Sequence, residues 1–269
     1  MGQALEQAIA GNSTVSEKKP KDPNEKSLAE ILKSCNDETQ MIEKVLSRKD
    51  GLNHLLLTDT NKLMQKIADE YPQYAKMTSI GKSFEGRDIN MLEITAPESA
   101  SDKAATQSLS LAPIEGEQPA QKSSKKPAIF MTGATHAREL ISTSINMFKA
   151  VQLIQQGVIN KDKTYENFLK DNKYYFVPIL NVDGVALIEQ GWEKDHKILP
   201  VRKNRDPVMA AGIDSKSLAQ APPETQGVDL NRNFGVQFGD SAGHPAFVED
   251  NWIAKADQHK DEFRVDEMV

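Results

Sequence analysis

The sequence predicts an α/β protein with parallel strands, and three observations support this prediction. An apolar run, Ala128–Gly133, ends in glycine and leads into an amphipathic segment from Leu140, which is the pattern of a strand, a turn and a helix. A second apolar run, Tyr174–Leu180, follows at the distance of a crossover connection, so the two strands are expected to be parallel. A β-hairpin is predicted at Met77–Ile94, where two β-rich runs flank a polar turn that contains glycine.

Apolar residues at helical spacing predict helices before the hairpin. Two short helices are expected within Ser27–Ser47, with Asn36 and Asp37 as the break between them, and a third over Asp59–Glu70. The third helix should stop before Tyr71–Pro72, because a residue that precedes proline disfavours the helical conformation. Its buried face is expected to contain Leu63, Met64 and Ile67.

The two apolar runs are expected to be buried strands, around Ile129 and around Phe176, because parallel strands are usually covered on both faces. The helix between them has a broad apolar face, and Gly157 is its candidate C-cap. The residues of that face are Leu140, Ile141, Ile145, Phe148, Val151, Leu153 and Ile154.

Shifts in composition divide the chain into segments. Residues 1–26 are expected to be a disordered arm, because a polar stretch gains too little burial to offset the entropy of ordering. Residues 27–58 form an N-terminal helical segment, and residues 59–269 form a larger domain. Within that domain, residues 96–127 are rich in Pro, Ser, Ala, Gln, Glu and Lys and are expected to be a long insert.

The composition excludes several classes of partner and anchor. Among 269 residues, 33 Lys and Arg face 39 Asp and Glu without a basic stripe, so nucleic acid is not an expected partner. No run reaches the roughly 20 apolar residues of a membrane helix, and the N-terminus lacks a signal-peptide pattern. Cys35 is the only cysteine and cannot form an internal disulfide. These features leave the compartment open.

His136 and Glu139 form the first candidate for chemistry. They are three residues apart where a strand passes into a helix, so both side chains can face one point at the carboxyl end of the strand. A neutral imidazole and a carboxylate suit Zn²⁺. The same spacing also occurs when a capping carboxylate lies near an incidental surface histidine, so the pair alone does not decide between the two readings.

Five motifs, taken in order, resemble the zinc metallocarboxypeptidase family of the pancreatic type. They are Ile80–Asp88, Thr135–Glu139, Asn181–Gly184, Val201–Arg205 and Gly227–Phe234. The resemblance implies a mixed central β-sheet flanked by helices, and hydrolysis of the C-terminal residue of a peptide or protein. It implies Zn²⁺ as cofactor and a substrate with a free C-terminus as partner.

The resemblance also assigns roles near the metal. His136 and Glu139 match the first two zinc ligands, and Arg138 matches the arginine that touches the substrate backbone. Arg202 matches the catalytic arginine that binds the scissile carbonyl and stabilises its oxyanion, which requires a fixed positive charge. Asp229 matches the carboxylate that holds a ligating histidine in one tautomer, and His136 is its expected partner.

Asn231 and Arg232 match the pair that grips the terminal carboxylate of the substrate. The chemistry agrees with this role, since a guanidinium presents a planar fork to a carboxylate and an amide adds a directed donor.

Other residues of these motifs are expected to have plainer roles. Lys203 and Arg205 are interpreted as solvated charges. Asn181–Gly184 is interpreted as a turn that shapes the site, and its Val182 replaces the usual proline of the family. The glycines of Gly81–Gly86 are expected to serve the hairpin turn.

The sequence departs from the family pattern after Arg232. The family supplies a third zinc ligand, a tyrosine and a catalytic glutamate from later strands, and nothing after Arg232 resembles them. His244 and His259 are the imidazoles of this region, and both are interpreted as solvated. We therefore expect a shortened domain without its C-terminal strands, which would leave apolar strand edges unpaired.

Three functions are compatible with these patterns. The first is a zinc-dependent metallocarboxypeptidase that is incomplete as written. The second is a catalytically inactive module that binds peptide C-termini. The third is an interaction protein built on the helices of Ser27–Ser47 with a decaying catalytic body. The side-chain preference of the specificity pocket and the oligomeric state are not readable from the sequence.

Overall fold

A computed structural model of the chain describes residues 26–97, 126–206 and 227–233. Within these residues, four strands form one mixed sheet in the order β1-β2-β4-β3, and helices flank it. The prediction of a mixed sheet flanked by helices is therefore confirmed. The strands are β1 Ala75–Lys82, β2 Asp88–Ile94, β3 Ala128–Thr132 and β4 Lys173–Val177.

Six α-helices occur in the described part of the chain, and two of them continue into a turn of π-helix. One π-turn, Ile42–Leu46, follows α2, and the other, Ile154–Ile159, follows α4. The helices are α1 Leu28–Lys33, α2 Glu38–Met41, α3 Leu57–Glu70, α4 Leu140–Leu153, α5 Lys163–Asp171 and α6 Val182–Asp195.

The strand pairing confirms both the hairpin and the parallel unit. Strands β1 and β2 are antiparallel, with Ala75 opposite Ile94, and β2 is also antiparallel to β4. Strands β3 and β4 are parallel, with Met131 opposite Phe176. In the hairpin turn Gly86 has a φ of +79°, a conformation that L side chains rarely adopt. Gly81, in contrast, lies in β1 beside an irregularity in the register.

The helices before the hairpin lie where the sequence predicts, except that α3 begins at Leu57 and not at the predicted Asp59. Ser27 and Glu30 form a capping box at the start of α1, and Asp37 caps α2, so the break at Asn36 and Asp37 is confirmed. The carboxylate of Glu70 on α3 accepts the backbone N–H of Leu28 at 2.7 Å. This bond joins α1 to the end of α3.

One hydrophobic core joins residues 27–58 to the sheet. Helix α3 buries its predicted face, and the N-terminal helices contribute side chains to the same cluster as β2 and β4. The N-terminal helical segment is therefore packed on the larger domain. The cluster includes Leu28, Leu32, Met41, Leu63, Met64, Ile67, Leu92, Ile94, Met147 and Phe176.

Gly157 is not a C-cap, which corrects the prediction. It lies inside the π-turn Ile154–Ile159, and the helix ends two residues later. A Cβ on Gly157 would approach the side chain of Leu169 on α5 to 2.6 Å. Its role is therefore to let α5 pack closely against the π-turn, an effect of tertiary contact that capping rules do not detect.

Two helices were not predicted. Asp162 caps α5, and the side chain of Asp162 accepts the N–H groups of Thr164 and Tyr165. Asn181 caps α6 and accepts the N–H of Gly184 at 2.9 Å. The interpretation of Asn181–Gly184 as a turn is therefore wrong, because these residues are the first turn of a helix.

Strand β3 is not buried around Ile129, in contrast to the prediction. The side chains of Ile129 and Phe130 are 41% and 59% exposed, whereas Phe176 on β4 is fully buried. The reason is topological, since no described strand pairs with the outer edge of β3. Ile141 and Ile145, on the predicted apolar face of α4, are also exposed, at 57% and 48%.

Several predictions fall outside the described residues. They are the disordered arm except for Lys26, the insert between residues 98 and 125, and the roles of His244 and His259. Searched over its described residues, the structure has no helix long and apolar enough to span a membrane.

Candidate active site

The candidate active site lies where β3 ends and the chain turns into α4. Gly133 directly follows the strand, and a Cβ there would stand 2.5 Å from the carbonyl oxygen of Pro178, so only glycine fits. Ala134 follows with a φ of +45°, in the left-handed region that is unusual for a residue other than glycine. This tight bend carries His136 and Glu139 to the carboxyl end of the sheet.

His136 is buried and is held on both ring nitrogens. Its Nδ1 lies 2.7 Å from Oε1 of Glu139, and its Nε2 lies 3.1 Å from Oδ1 of Asp229. The side chain of His136 is 7% exposed, whereas that of Glu139 is half exposed. The ring therefore lies between a buried carboxylate on one side and a carboxylate open to solvent on the other.

Asp229 is the centre of the cluster. Its Oδ2 accepts a hydrogen bond from Nε of Arg202 at 2.7 Å, and its Oδ1 accepts the backbone N–H of Asn231 at 3.0 Å. Burial raises the pKa of this carboxyl, but the hydrogen bonds and charges of Arg202 and His136 outweigh burial and hold the pKa below its ordinary value. The carboxylate is therefore kept ionised between its two partners.

The backbone around Arg202 is fixed from two elements. Its carbonyl oxygen accepts the N–H of Ala137 and a side-chain N–H of Asn181, both at 3.3 Å. The carbonyl of the preceding residue, Val201, accepts the N–H of Arg138 at 2.7 Å. The loop that carries Arg202 is thus attached both to the turn after β3 and to the start of α6.

The two residues predicted to grip a terminal carboxylate lie in a short 3₁₀ turn, Leu230–Arg232, which Asp229 caps. Asn231 is exposed, and Arg232 is half-buried, with Nη1 donating to the carbonyl of Asn231 at 3.0 Å. The side chain of Arg138 is also exposed.

The structure thus brings four of the predicted site residues into direct contact: His136, Glu139, Arg202 and Asp229. Arg138, Asn231 and Arg232 lie beside this cluster in the chain, and their roles stay predictions.

A second network anchors the hairpin loop next to the site. The buried carboxylate of Asp183 accepts hydrogen bonds from Ser83 Oγ at 2.7 Å, from the N–H of Glu85 at 2.9 Å and from Nη1 of Arg87 at 2.7 Å. Nε of Arg205 lies 3.4 Å from Oε1 of Glu85. Arg205 is therefore part of this network, which corrects its interpretation as a solvated charge.

The sequence alone did not identify Asp183 or Asn204 as structural supports of the site. Asp183 belongs to the first turn of α6, and recognising Asn181 as an N-cap would have predicted that helix. Asn204 acts through a contact with Val228, a residue distant in sequence, and no local pattern reveals it.

The cluster holds both residues predicted as metal ligands, His136 and Glu139. Over the part of the chain that the structure describes, no group of three or more His, Cys, Asp or Glu side chains is arranged to hold a metal ion. His136 and Glu139 can serve as two ligands, while Asp229 is engaged with Arg202 and with the far nitrogen of the same imidazole.

Comparison with protein families gives a match to the zinc carboxypeptidase family over residues 60–265. Among curated relatives, the inactive metallocarboxypeptidase ECM14 of Ajellomyces capsulatus strain H143 is 30% identical over 179 residues, which are 66% of this chain and 23% of that protein. ECM14 of Saccharomyces cerevisiae, also described as inactive, is 26% identical over 66% of this chain and 32% of its own length. The chain thus spans about a quarter to a third of these relatives.

Two solved structures are similar to part of this chain. The crystal structure of thrombin activatable fibrinolysis inhibitor is 24% identical, with a TM-score of 0.44 over 68% of this chain and 34% of that one. Carboxypeptidase A from Helicoverpa armigera is 22% identical, with a TM-score of 0.45 over 74% of this chain and 39% of that one.

Proposed function

The chain belongs to the zinc carboxypeptidase family, and from this membership we propose that its site binds the C-terminus of a peptide or protein and removes the last residue in a zinc-dependent reaction. The observation that supports the proposal is the placement of His136. Its Nδ1 faces Glu139 at 2.7 Å, while Asp229 orients the ring through Nε2 at 3.1 Å. A histidine oriented in this way presents one nitrogen to a metal.

His136 and Glu139 would hold the zinc ion. An imidazole nitrogen and a carboxylate oxygen are both common zinc ligands, and these two atoms already converge on one point. The described residues supply no third ligand, and His244 and His259, which the sequence analysis interprets as solvated, are the first positions to mutate in a search for one. When bound, zinc supplies the acidity that activates a water molecule and the charge that polarises a carbonyl.

Arg202 would stabilise the negative charge that develops on the scissile carbonyl oxygen. Its Nε is bonded to Asp229, so the guanidinium has a fixed orientation before substrate arrives. A charge that is already in place need not reorganise during the reaction, which is the source of this kind of catalysis.

Asn231 and Arg232 would bind the free carboxylate of the substrate, and Arg138 would contact its backbone. A guanidinium and an amide together recognise a carboxylate in preference to a neutral amide. This recognition would restrict the reaction to chain ends.

The test is hydrolysis by the whole protein. We expect release of single C-terminal residues from a peptide with a free C-terminus, detected by mass spectrometry, and none from its amidated form. A metal chelator should abolish release and added Zn²⁺ should restore it. Activity that persists in the presence of the chelator would rule out the zinc mechanism.

A second function is binding without hydrolysis. It is favoured because the curated relatives described above are named inactive, and because the described residues do not provide a third metal ligand. In this case the site would retain recognition of the C-terminus and lose the chemistry.

Calorimetry with the same peptide pair distinguishes the two functions. Tighter binding of the free C-terminus with no cleavage over days would support the binding module. Equal affinity for the free and amidated peptides would eliminate it.

A further inference from the structure

Asn204 joins two segments that are distant in sequence. Its backbone N–H donates to the carbonyl oxygen of Val228 at 2.9 Å, and its side-chain Oδ1 accepts the N–H of Val228 at 2.7 Å. The same Oδ1 also accepts the N–H of Asp206 at 3.2 Å. Both backbone polar groups of Val228 are therefore bonded to a single residue.

The approach of the two segments leaves no space between them. Gly227 has a φ of +107°, and a Cβ at this position would lie 1.7 Å from the carbonyl oxygen of Asn204. Any other residue at position 227 would have to push the segments apart. The separation is thus set by backbone contact as well as by hydrogen bonds.

The junction of Asn204 with Gly227 and Val228 lies next to the cluster that contains Arg202 and Asp229. Arg202 lies two residues before Asn204, and Asp229 follows Val228 directly, so the junction brings the two charged side chains together. Nε of Arg202 then reaches Oδ2 of Asp229 at 2.7 Å, and the other carboxylate oxygen holds His136.

We infer that Asn204 is a positioning residue for the site: through Val228 it sets the register between Arg202 and Asp229, and so the orientation of the guanidinium and of the His136 ring. It does so without touching a substrate. Its side-chain oxygen is the required feature, because an alanine would leave the N–H of Val228 without its acceptor. Aspartate keeps an acceptor at the same place. The role in substrate binding rests on the proposed function, whereas the structural role does not.

The first experiment measures the structural role by NMR of the protein of residues 1–269 labelled with ¹⁵N. The Nε–H signal of Arg202 is assigned by its disappearance in Arg202→Lys. A hydrogen bond to a carboxylate shifts this proton downfield and slows its exchange with water. We expect Asn204→Ala to move the signal upfield and to speed exchange by about tenfold or more, since about 1.4 kcal/mol of lost hydrogen bonding corresponds to that factor. Asn204→Asp should retain the wild-type signal.

Asn160→Ala is the matched control. It removes an asparagine side chain whose amide bonds Gln156 at an exposed position, 3.0 Å away. The Arg202 signal should not change in this variant. If Asn204→Ala does not fold, Asn204→Thr takes its place. Its hydroxyl is an acceptor on a shorter side chain, so the shift of the Arg202 signal should be intermediate. A wild-type Arg202 signal in folded Asn204→Ala, or in folded Asn204→Thr where that variant replaces it, overturns the inference.

The second experiment measures the effect on binding. The readout is the ratio of affinities for a peptide with a free C-terminus and for its amidated form. Asn204→Ala should lower this ratio by about tenfold in the wild-type background and change it little in the Asn231→Ala background, because Asp229, which Asn204 positions through Val228, accepts the N–H of Asn231. Full additivity of the two substitutions would overturn the positioning role. A wild-type protein with no preference for the free C-terminus would overturn the proposed function, while the NMR result would still decide the inference.

Discussion

The carboxylate of Glu189 on α6 accepts the backbone N–H of Thr58 at 3.1 and 3.3 Å, so α3 receives its N-terminal cap from a residue 131 positions later in the chain. No side chain of α3's own N-terminal sequence supplies a cap. Burial raises the pKa of Glu189 above its ordinary value, and the charges of Glu193 and Asp59 act in the same direction. Hydrogen bonds from Thr58 oppose this rise without cancelling it.

The raised pKa of Glu189 makes stability depend on pH. Between the unfolded and the folded pKa, the folded state binds more protons than the unfolded state, so the free energy of unfolding falls as pH rises. Glu189→Gln removes this titration and keeps an acceptor oxygen. Urea denaturation from about pH 4 to pH 7 should show wild-type stability falling relative to the variant. A constant difference across this range would contradict the assignment.

Asp229→Ala should destabilise the protein by about 2 kcal/mol and abolish the preference for a free C-terminus. The substitution leaves the N–H groups of Arg202 and of Asn231 without the carboxylate that accepts them. Urea denaturation gives the first effect and calorimetry the second. Lys163→Ala is the control, because it removes an exposed ion pair with Glu166 and should cost no more than about 0.5 kcal/mol.

Gly227→Ala and Gly51→Ala form a matched pair that tests the close approach of Gly227 to the carbonyl of Asn204. Both glycines have positive φ, but a Cβ on Gly51 would meet nothing within 4 Å, whereas one on Gly227 would meet the carbonyl of Asn204. We expect Gly51→Ala to cost about 1 kcal/mol through backbone strain alone, and Gly227→Ala to cost clearly more. Equal losses in urea denaturation would show that the junction tolerates separation.

Phe130→Lys should raise solubility with little loss of stability. Phe130 is 59% exposed on β3, and an apolar strand edge without charged residues favours association with other chains. Light scattering over a range of concentrations should show less association than in the wild type, with the unfolding midpoint nearly unchanged. Phe176→Ala, at a fully buried position of β4, should cost about 3 to 5 kcal/mol in comparison. A large loss of stability in Phe130→Lys would mean that the side chain is covered.

We expect that replacing residues 98–125 with a short Gly-Ser linker leaves the fold intact. The two ends of this insert already lie together, because Nζ of Lys126 donates to the carbonyl of Ala96 at 2.7 Å. Shortening a loop whose ends meet changes the closure entropy only slowly with length. The variant should retain the unfolding free energy of the wild type to within about 1 kcal/mol. A molten or aggregated product would show that the insert contributes to the core.

Local patterns in the sequence predicted the elements that local forces determine. The hairpin, the break at Asp37, α3 and the parallel pair of strands follow from periodicity, capping and turn chemistry, and the structure contains them. Helix α6 was missed because Asn181 was interpreted as part of a turn. The misjudged burial of Ile129 has a different cause, since the exposure of a strand depends on its neighbours in the sheet and not on its own composition.

The candidate site likewise combines contacts that local sequence predicts with contacts that depend on distant residues. His136 and Glu139 are three residues apart, and their contact could be foreseen from spacing alone. The pairing of Asp229 with His136 was foreseen only through family resemblance, because these residues are 93 positions apart. The bond between Asp229 and Arg202 and the contacts of Asn204 with Val228 depend on backbone geometry that no sequence rule describes.

The two halves of the site also differ in when they can form as the chain folds. His136 and Glu139 meet across a single turn, so their contact needs only the start of α4. The carboxylate of Asp229 can reach His136 only after a long loop has closed, and such closures are slow in folding because their entropy is lost before any contact is gained. A peptide that requires the complete cluster would therefore recognise only chains that have finished folding, and its binding would measure the folded fraction directly.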